Sequence, residues 1–293
     1  MLSILIPVFN VEVGVLVSDL ARQCQKLGII YEIWCFDDAS DAAFVELLKK
    51  IEPSGALKIR FLSQNVGRAK IRNQLGAAAQ FNYLLFLDCD VSVAHAPDFI
   101  AKYIAKINTE NQIIVGGICY QPNVPPLEKR LHWSYGRQRE NQSEAQHFLS
   151  SNFLIRKTTF DQLKFDENIT QYGHEDTLFG IEATQRGFKM AHINNPVQHD
   201  GLENADVFLK KTALAIENLI RLRGELGKNK LVTKLVKVDI ILRRYYLRKL
   251  AFYALSIFSN GLKRYLLRAK HPKIIVLDCY KLWIYLKQKQ HSK

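Results

Sequence analysis

Tyr83-Leu84-Leu85-Phe86-Leu87 runs straight into Asp88-Cys89-Asp90, and these eight residues decide the fold class. Five consecutive apolar residues predict a strand covered on both faces, as in a parallel sheet. Parallel sheets bind ligands outside the carboxyl ends of their strands, which is where the two acids fall. Side chains alternate along an extended chain, so Asp88 and Asp90 point the same way. Hard oxygen ligands in that arrangement suit Mg2+ or Mn2+ better than zinc. The same tripeptide is short enough to arise by chance, with one aspartate capping the next helix and the other solvated in a loop.

Outward from this strand, short apolar runs alternate with segments of helical periodicity. Leu2–Pro7, Tyr31–Phe36, Lys58–Leu62 and Ile113–Val115 read as further strands, and 12–27, 41–51, 67–80 and 97–107 as helices. That alternation predicts an α/β domain with a mostly parallel central sheet. From Gln121 to Ala145 the pattern breaks: Pro122, Pro125 and Pro126 precede a polar, aromatic segment with His132, Trp133 and Tyr135. It reads as a substrate-facing insertion. Phe148–Arg156 reads as a strand, Asp176–Arg186 as a helix ended by Gly187, and Met190–Ile193 as a last strand. From about 205 the pattern is helical, amphipathic and basic, so the expected domains are 1–205 and 206–293.

Composition narrows the class. The chain has 293 residues, of which 48% are hydrophobic, enough for a packed core. Its five cysteines are scattered, odd in number and without a C-x-x-C pair, which favours a reducing cytoplasm over a disulfide framework or a zinc site. The opening MLSILIPVFN lacks a basic n-region and reads as a strand rather than a secretory leader. No uncharged apolar stretch reaches the roughly 18 to 20 residues of a spanning helix. Net charge is +13, and its distribution is uneven: residues 1–220 hold 22 Lys and Arg against 25 Asp and Glu, whereas 221–293 hold 19 against 3. The basic excess therefore lies in the last quarter, which should seek phosphate in nucleic acid or on an anionic membrane.

Four further clusters bear on the acids at 88 and 90. Asp37 and Asp38 end the second predicted strand on the same sheet edge, where Asp37 could accept from a base N–H and Ser40 or Asp41 could cap a helix. Asn65-Val66-Gly67 leads into Arg72-Asn73, a turn glycine and a helix start with an arginine able to reach phosphate or nucleotide. Glu175 and Asp176 enter a helix, where one acid would already be favourable for the helix dipole alone. His199 follows the last predicted strand, either as a metal ligand or as a structural histidine.

Together these clusters resemble the family 2 glycosyltransferases of the GT-A fold. The resemblance rests on S-I-L-I-P-V-F-N (3–10), D-D-A-S (37–40), N-V-G-R-A-K-I-R-N (65–73), F-L-D-C-D (86–90), S-N-F-L-I-R-K (151–157), F-D-E-N (165–168) and G-H-E-D (173–176), in that order over about 1–205. It implies a nucleotide-sugar donor, with Asp37 reading uracil and Pro7, Val8 and Asn10 lining the nucleotide site together with Asp38, Asn65, Gly67 and Arg72. Asp88 would lie near ribose or metal and Asp90 on the metal, Mn2+ or Mg2+, with His199 as a third ligand. Asp176 would be the catalytic base and Glu175 its acceptor-facing neighbour. Ile71 stands where the family usually has alanine, and no Q-x-x-R-W follows Glu175-Asp176. The latter departure implies one or a few sugars added rather than a long polymer.

An inverting transfer to a hydroxyl acceptor in cell-surface polysaccharide or glycolipid synthesis is the expected function, with a saccharide or lipid-linked saccharide as acceptor. Residues 228–270 interleave Lys and Arg with large apolar groups, as in Leu242-Arg243-Arg244-Tyr245-Tyr246-Leu247-Arg248-Lys249-Leu250. Such a segment suits an interfacial helix on an anionic membrane, or a helical hairpin on the core with its charges in water. The expected location is cytoplasmic, peripheral on the inner membrane face if the tail docks there. A nucleic-acid-binding protein acting through the tail is the alternative. It leaves the acidic first 220 residues without a role, and no nucleic acid is expected as a partner.

Overall fold

The computed structural model describes residues 1–51, 55–108, 110–141, 148–225 and 233–291. Residues 142–147 of the expected insertion and 228–232 of the basic segment lie outside them. The chain forms two compact units: 1–121 with 140–170 and 175–201, and 122–139 with 171–174 and 202–293. The chain therefore passes between the units several times, and residues 122–139 of the segment expected as an insertion of the first module group with the C-terminal helices.

In the first unit, strands β1 (Leu2–Val8), β2 (Tyr31–Asp37), β3 (Leu57–Phe61) and β4 (Tyr83–Leu87) run parallel in the order β3-β2-β1-β4. Helices α1 (Gly14–Lys26), α2 (Ala42–Lys49) and α3 (Arg68–Ala78) make the crossovers. Beyond the two-residue β5 (Val91–Ser92) come α4 (Phe99–Lys106), β6 (Ile113–Val115) and β7 (Ile118–Cys119). The sheet is completed by β8 (Asn152–Arg156), antiparallel to both β4 and β6, and by β9 (Met190–His192), parallel to β6. It has seven strands and is mostly parallel, as the alternating pattern predicts.

The apolar run of β4 is buried from Leu84 to Leu87 because both sheet faces are covered. On one face Phe86 stacks on Phe153 at 4.9 Å and meets Phe160 at 5.0 Å, while Phe165 stacks on Phe179 at 4.4 Å. These rings tie α6 (Lys157–Leu163) and α7 (Glu175–Gln185) to the sheet. Gly187, at φ +75°, ends α7 as expected, with the Phe188 N–H returning to the Ala183 carbonyl at 3.0 Å.

One sequence expectation needs correction. Met190–His192 is not the last strand, because β10 (Val197–His199) follows it and forms a separate three-stranded sheet in the order β5-β10-β7. Two- and three-residue strands carry too few residues for an alternating pattern to register. A buried polar knot joins the two sheets: the Tyr103 hydroxyl donates to Asn152 Oδ1 at 2.6 Å, and Asn152 Nδ2 donates to the Gly117 and Asn195 carbonyls at 2.8 and 2.9 Å.

In the second unit, α5 (Arg130–Tyr135) follows the prolines and faces α8 (Ala205–Glu225), where His132 stacks on Phe208 at 4.7 Å. The same helix α8 holds the 171–174 segment: Asn218 Nδ2 donates to the Gly173 carbonyl at 2.6 Å, and the His174 ring contacts the Ala215 carbonyl at 3.1 Å. Helices α9 (Lys234–Arg244) and α10 (Arg248–Arg268) pack around α11 (Ile274–His291), whose Leu277, Tyr285 and Leu286 are fully buried. Arg248 pairs with Asp239 at 3.1 Å, and the Trp283 indole donates to Ser256 Oγ at 3.2 Å. Among the described residues no helix is long and apolar enough to cross a membrane.

Phe153 touches four other rings of the first unit's core and is fully buried. Phe153→Ala is expected to lower unfolding stability by about 3 to 5 kcal/mol in urea titration, because the rigid aromatic wall cannot collapse into the cavity.

Candidate active site

The carboxyl ends of β1, β2 and β4 lie side by side. Val8 pairs with Asp37 in the β1–β2 ladder, and Leu5 pairs with Phe86 two residues before Asp88. A chain of hydrogen bonds ties the first two ends together. The Asp38 N–H donates to the Val8 carbonyl at 2.8 Å, the Asn10 N–H to Ser40 Oγ at 2.8 Å, and the Asp41 N–H to Asn10 Oδ1 at 2.7 Å. Asn10 adopts φ +53°, a conformation asparagine tolerates better than most residues. Asn10, in the bend after β1, thus holds the backbone N–H of Asp41, which occupies the N-cap position of α2 without a side-chain cap bond of its own.

Asp37 and Asp38 have different surroundings although they are adjacent. Both oxygens of Asp38 are engaged, Oδ1 by the Val66 N–H at 2.6 Å and Oδ2 by the Gly67 N–H at 3.1 Å. Burial pushes the Asp38 carboxyl above its ordinary range against those two bonds. Asp38 therefore fixes the turn that starts α3, where Gly67 sits at φ +84° and Asn65 is exposed. Asp37 is 1% exposed; Oδ2 accepts from the Ser40 N–H at 3.1 Å, and buried Oδ1 has no hydrogen-bond partner among the described residues. An unsatisfied buried carboxylate oxygen costs free energy until a donor reaches it.

Helix α3 presents two arginines one turn apart. Arg72 is 3% exposed and pairs with Asp88 Oδ1 at 2.5 Å, while its guanidinium lies 5.6 Å from the Phe165 ring centroid. Burial raises the Asp176 pKa, and the Arg72 charge opposes that rise. The expected phosphate-reaching arginine is thus held inside the wall of the site. Arg68, half-exposed, stands 3.5 Å from Glu175 Oε1 and acts electrostatically on Asp90. These couplings bring Asp88, Asp90, Glu175 and Asp176 into one neighbourhood, although they are up to 88 positions apart in the chain.

Asp176 opens α7. Its Oδ1 accepts from the Thr177 N–H at 2.6 Å and from Thr177 Oγ1 at 3.2 Å; among the described residues no hydrogen bond falls on Oδ2. Burial, reinforced by the neighbouring Glu175 charge, pushes the carboxyl up from its ordinary 3.8 to about 6. Some of its surface remains open. A carboxylate that is accessible, oriented through one oxygen and poised near neutral pH can take a proton with the other.

His199 Nε2 stands 3.5 Å from Asp90 Oδ2. The small sheet makes this contact: His199 pairs with Val91, next to Asp90, and the Asp90 carbonyl accepts the Asp200 and Gly201 N–H groups at 2.9 and 3.2 Å. Burial raises the Asp90 pKa, with His199 opposing. Among the described residues no group of three or more His, Cys, Asp or Glu side chains stands ready to hold a metal, since Asp88 turns toward Arg72. Asp90 and His199 by themselves fit a divalent ion. Adjacent ligands about 2.1 Å from an octahedral ion lie about 3 Å apart, and such ions are commonly held by one or two protein groups plus substrate phosphates.

The chain matches the sequence model described as "Glycosyl transferase family 2" over residues 3–166. It belongs to that family. This family 2 glycosyltransferase is 30% identical over 227 residues to chondroitin synthase of Escherichia coli, a match covering 64% of this chain and 32% of the relative. It thus spans about a third of that protein's length. In fold it is similar to the mannosyltransferase PcManGT from Pyrobaculum calidifontis, solved in complex with GDP-Man and Mn2+. That likeness has a TM-score of 0.63 at 12% identity, over 100% of this chain and 88% of that one. It is also similar to glucosyl-3-phosphoglycerate synthase from Mycobacterium tuberculosis, solved with Mn2+, UDP and glucosyl-3-phosphoglycerate. There the TM-score is 0.51 at 14% identity, over 76% and 80% of the two chains. These likenesses show the GT-A fold and no more.

Sequence reading missed two residues of the candidate site. Arg68 lies four positions before Arg72, so helical spacing alone places both on one face. Gly201 carries no such signal: a Cβ there would lie 2.7 Å from Asp90 Cβ and 2.9 Å from its Cγ, both too close. Gly201→Ala is expected to displace the Asp90 carboxylate and weaken Mn2+-dependent UDP binding at least tenfold in calorimetry, with a thermal midpoint near that of the unmodified chain.

A second outcome follows from the raised Asp176 pKa. Because the folded state resists ionising this group, the associated stability is full below about pH 4 and is lost as pH rises through about 6. Asp176→Asn removes that loss. Its thermal midpoint should exceed that of the unmodified chain at pH 7.5 and match it at pH 4.

Proposed function

We propose that this glycosyltransferase moves a sugar from a UDP-sugar to an acceptor hydroxyl in a single displacement that inverts the anomeric centre. The observation that carries the reading is Asp176: a partly open carboxylate, raised toward neutrality, sharing Arg72 with Asp88 of the D-x-D pair. Its Oδ2 would remove the proton from the acceptor hydroxyl as that oxygen attacks the sugar. Glu175, buried and paired with Arg68, would keep Asp176 basic by like-charge repulsion and face the acceptor.

Asp37 Oδ1 supports uracil as the base. It offers one buried acceptor, which suits the single ring N–H of uracil better than the two adjacent donors of guanine. Pro7 and Val8, at the end of β1, would border the base, and the turn Asn65–Gly67 held by Asp38 would border the diphosphate. The exposed guanidinium of Arg68 is placed to meet negative charge there. A divalent cation, Mn2+ or Mg2+, bound by Asp90 and His199 would neutralise charge on the leaving diphosphate. The likeness to chondroitin synthase supports a saccharide acceptor, free or lipid-linked, in cell-surface polysaccharide or glycolipid synthesis. The lack of a Q-x-x-R-W motif supports the addition of one or a few sugars.

The test separates proton removal from donor binding. Asp176→Asn is expected to lower kcat by about 10² to 10⁴ while UDP binding with Mn2+, measured calorimetrically, stays within about twofold. Asp90→Ala should lose both. Equal loss of UDP binding in the two variants would overturn the assigned roles. The pH profile of kcat/KM should fall on the acid side with an apparent pKa about 6, because protonated Asp176 cannot act as a base.

A further inference from the structure

Helices α9 and α10 carry an exposed face that the transfer chemistry does not use. On α9, Lys237, Ile240, Ile241 and Arg244 recur at i, i+3, i+4 and i+7 and are all exposed. The α9–α10 turn exposes Tyr246 almost completely, at 94%. On α10, Leu250, Tyr253 and Ile257 follow at i, i+3 and i+7, exposed by 66, 62 and 78%, and Arg264 continues the same stripe two turns later. Only Ser259 and Leu266 of this 21-residue helix are buried. Its other side meets α11, through contacts such as Trp283 with Ser256. Large apolar side chains exposed at helical spacing on two successive helices point to an interaction surface.

The charge around this face identifies what covers it. From residue 240 to 277 the chain holds nine Lys and Arg and no Asp or Glu. The nearest acid before that stretch, Asp239, is buried and paired with Arg248. A second copy of the chain would bring two such cationic faces together, which is repulsive. Nucleic acid would answer the charge but gives no burial to Leu250, Ile257, Ile240 and Ile241. A surface with anionic headgroups above acyl chains answers both: the arginines meet phosphate while the aliphatic and tyrosine side chains enter the boundary region.

We infer that the α9–α10 face docks on an anionic lipid bilayer, with the α9–α10 turn and the first half of α10 inserted at headgroup depth. The inference does not depend on which donor or acceptor the enzyme uses. It fits a peripheral attachment, in keeping with the absence of a spanning helix among the described residues.

Flotation of the full chain with phosphatidylcholine vesicles containing about one-third phosphatidylglycerol, against phosphatidylcholine alone, tests it. At low salt the chain should rise with the anionic vesicles only, and added salt should weaken binding. Arg244→Glu with Arg264→Glu should lower partitioning by at least about 25-fold, each neutralised cation contributing about fivefold. Leu250→Ser with Ile257→Ser should lower it by about tenfold or more. Both pairs lie on the exposed surface and should keep the thermal midpoint, which is measured alongside. A chain that stays unbound at low salt, or a serine pair that floats as well as the unmodified chain, would overturn the inference. So would binding of an RNA oligomer without binding to the anionic vesicles.

Discussion

Two arginines one turn apart on a single helix hold the acids of this site together. Asp88, Asp90, Glu175 and Asp176 would repel one another at one sheet edge without compensating charge. Arg72 pairs with Asp88 and acts on Asp176, and Arg68 pairs with Glu175 and acts on Asp90. The helix that carries them is itself placed by Asp38, whose carboxylate takes the two N–H groups preceding it. One acid therefore positions the helix, and the helix then makes the remaining acids tolerable. At Asp176 burial and the neighbouring Glu175 charge outweigh the compensation, and its pKa stays raised.

The second dependency is the small sheet. Its strands are two or three residues long, yet they bring His199 from the far end of the unit to Asp90. A bare backbone at Gly201 allows the approach, and the Tyr103–Asn152–Asn195 knot fixes the small sheet to the large one. The Asn152 and Asn195 side-chain amides donate there to backbone carbonyls, while buried Asn195 Oδ1 has no hydrogen-bond partner among the described residues, so the junction is specified by hydrogen-bond geometry as well as by packing.

The second unit has a different character. Its core is the helix α11 with α8, α9 and α10 around it, and its charge is strongly positive. Helix α8 holds the 171–174 segment, which leads in the chain directly to Glu175 and Asp176. Family membership rests on residues 3–166, which end before helices α8 to α11, so the C-terminal helices are where this chain's own attachments are to be sought.

The large sheet, its crossover helices and the acids at 37, 88, 90 and 176 were legible in the sequence because each depends on local chemistry. A buried strand is an apolar run, a strand end is a turn with acids, and a glycine ends a helix. The basic amphipathic face was legible too, since helical spacing is a property of the chain itself. What each acid touches was decided only by the tertiary structure. Asp37 and Asp38 are neighbours of one residue type, but of the two only Asp37 keeps a buried oxygen with no hydrogen-bond partner among the described residues. Arg72, which could have reached a phosphate, is held by Asp88. His199 and Gly201 acquire their place from strand pairings of two or three residues, and a pairing so short leaves no periodic trace for a sequence to display.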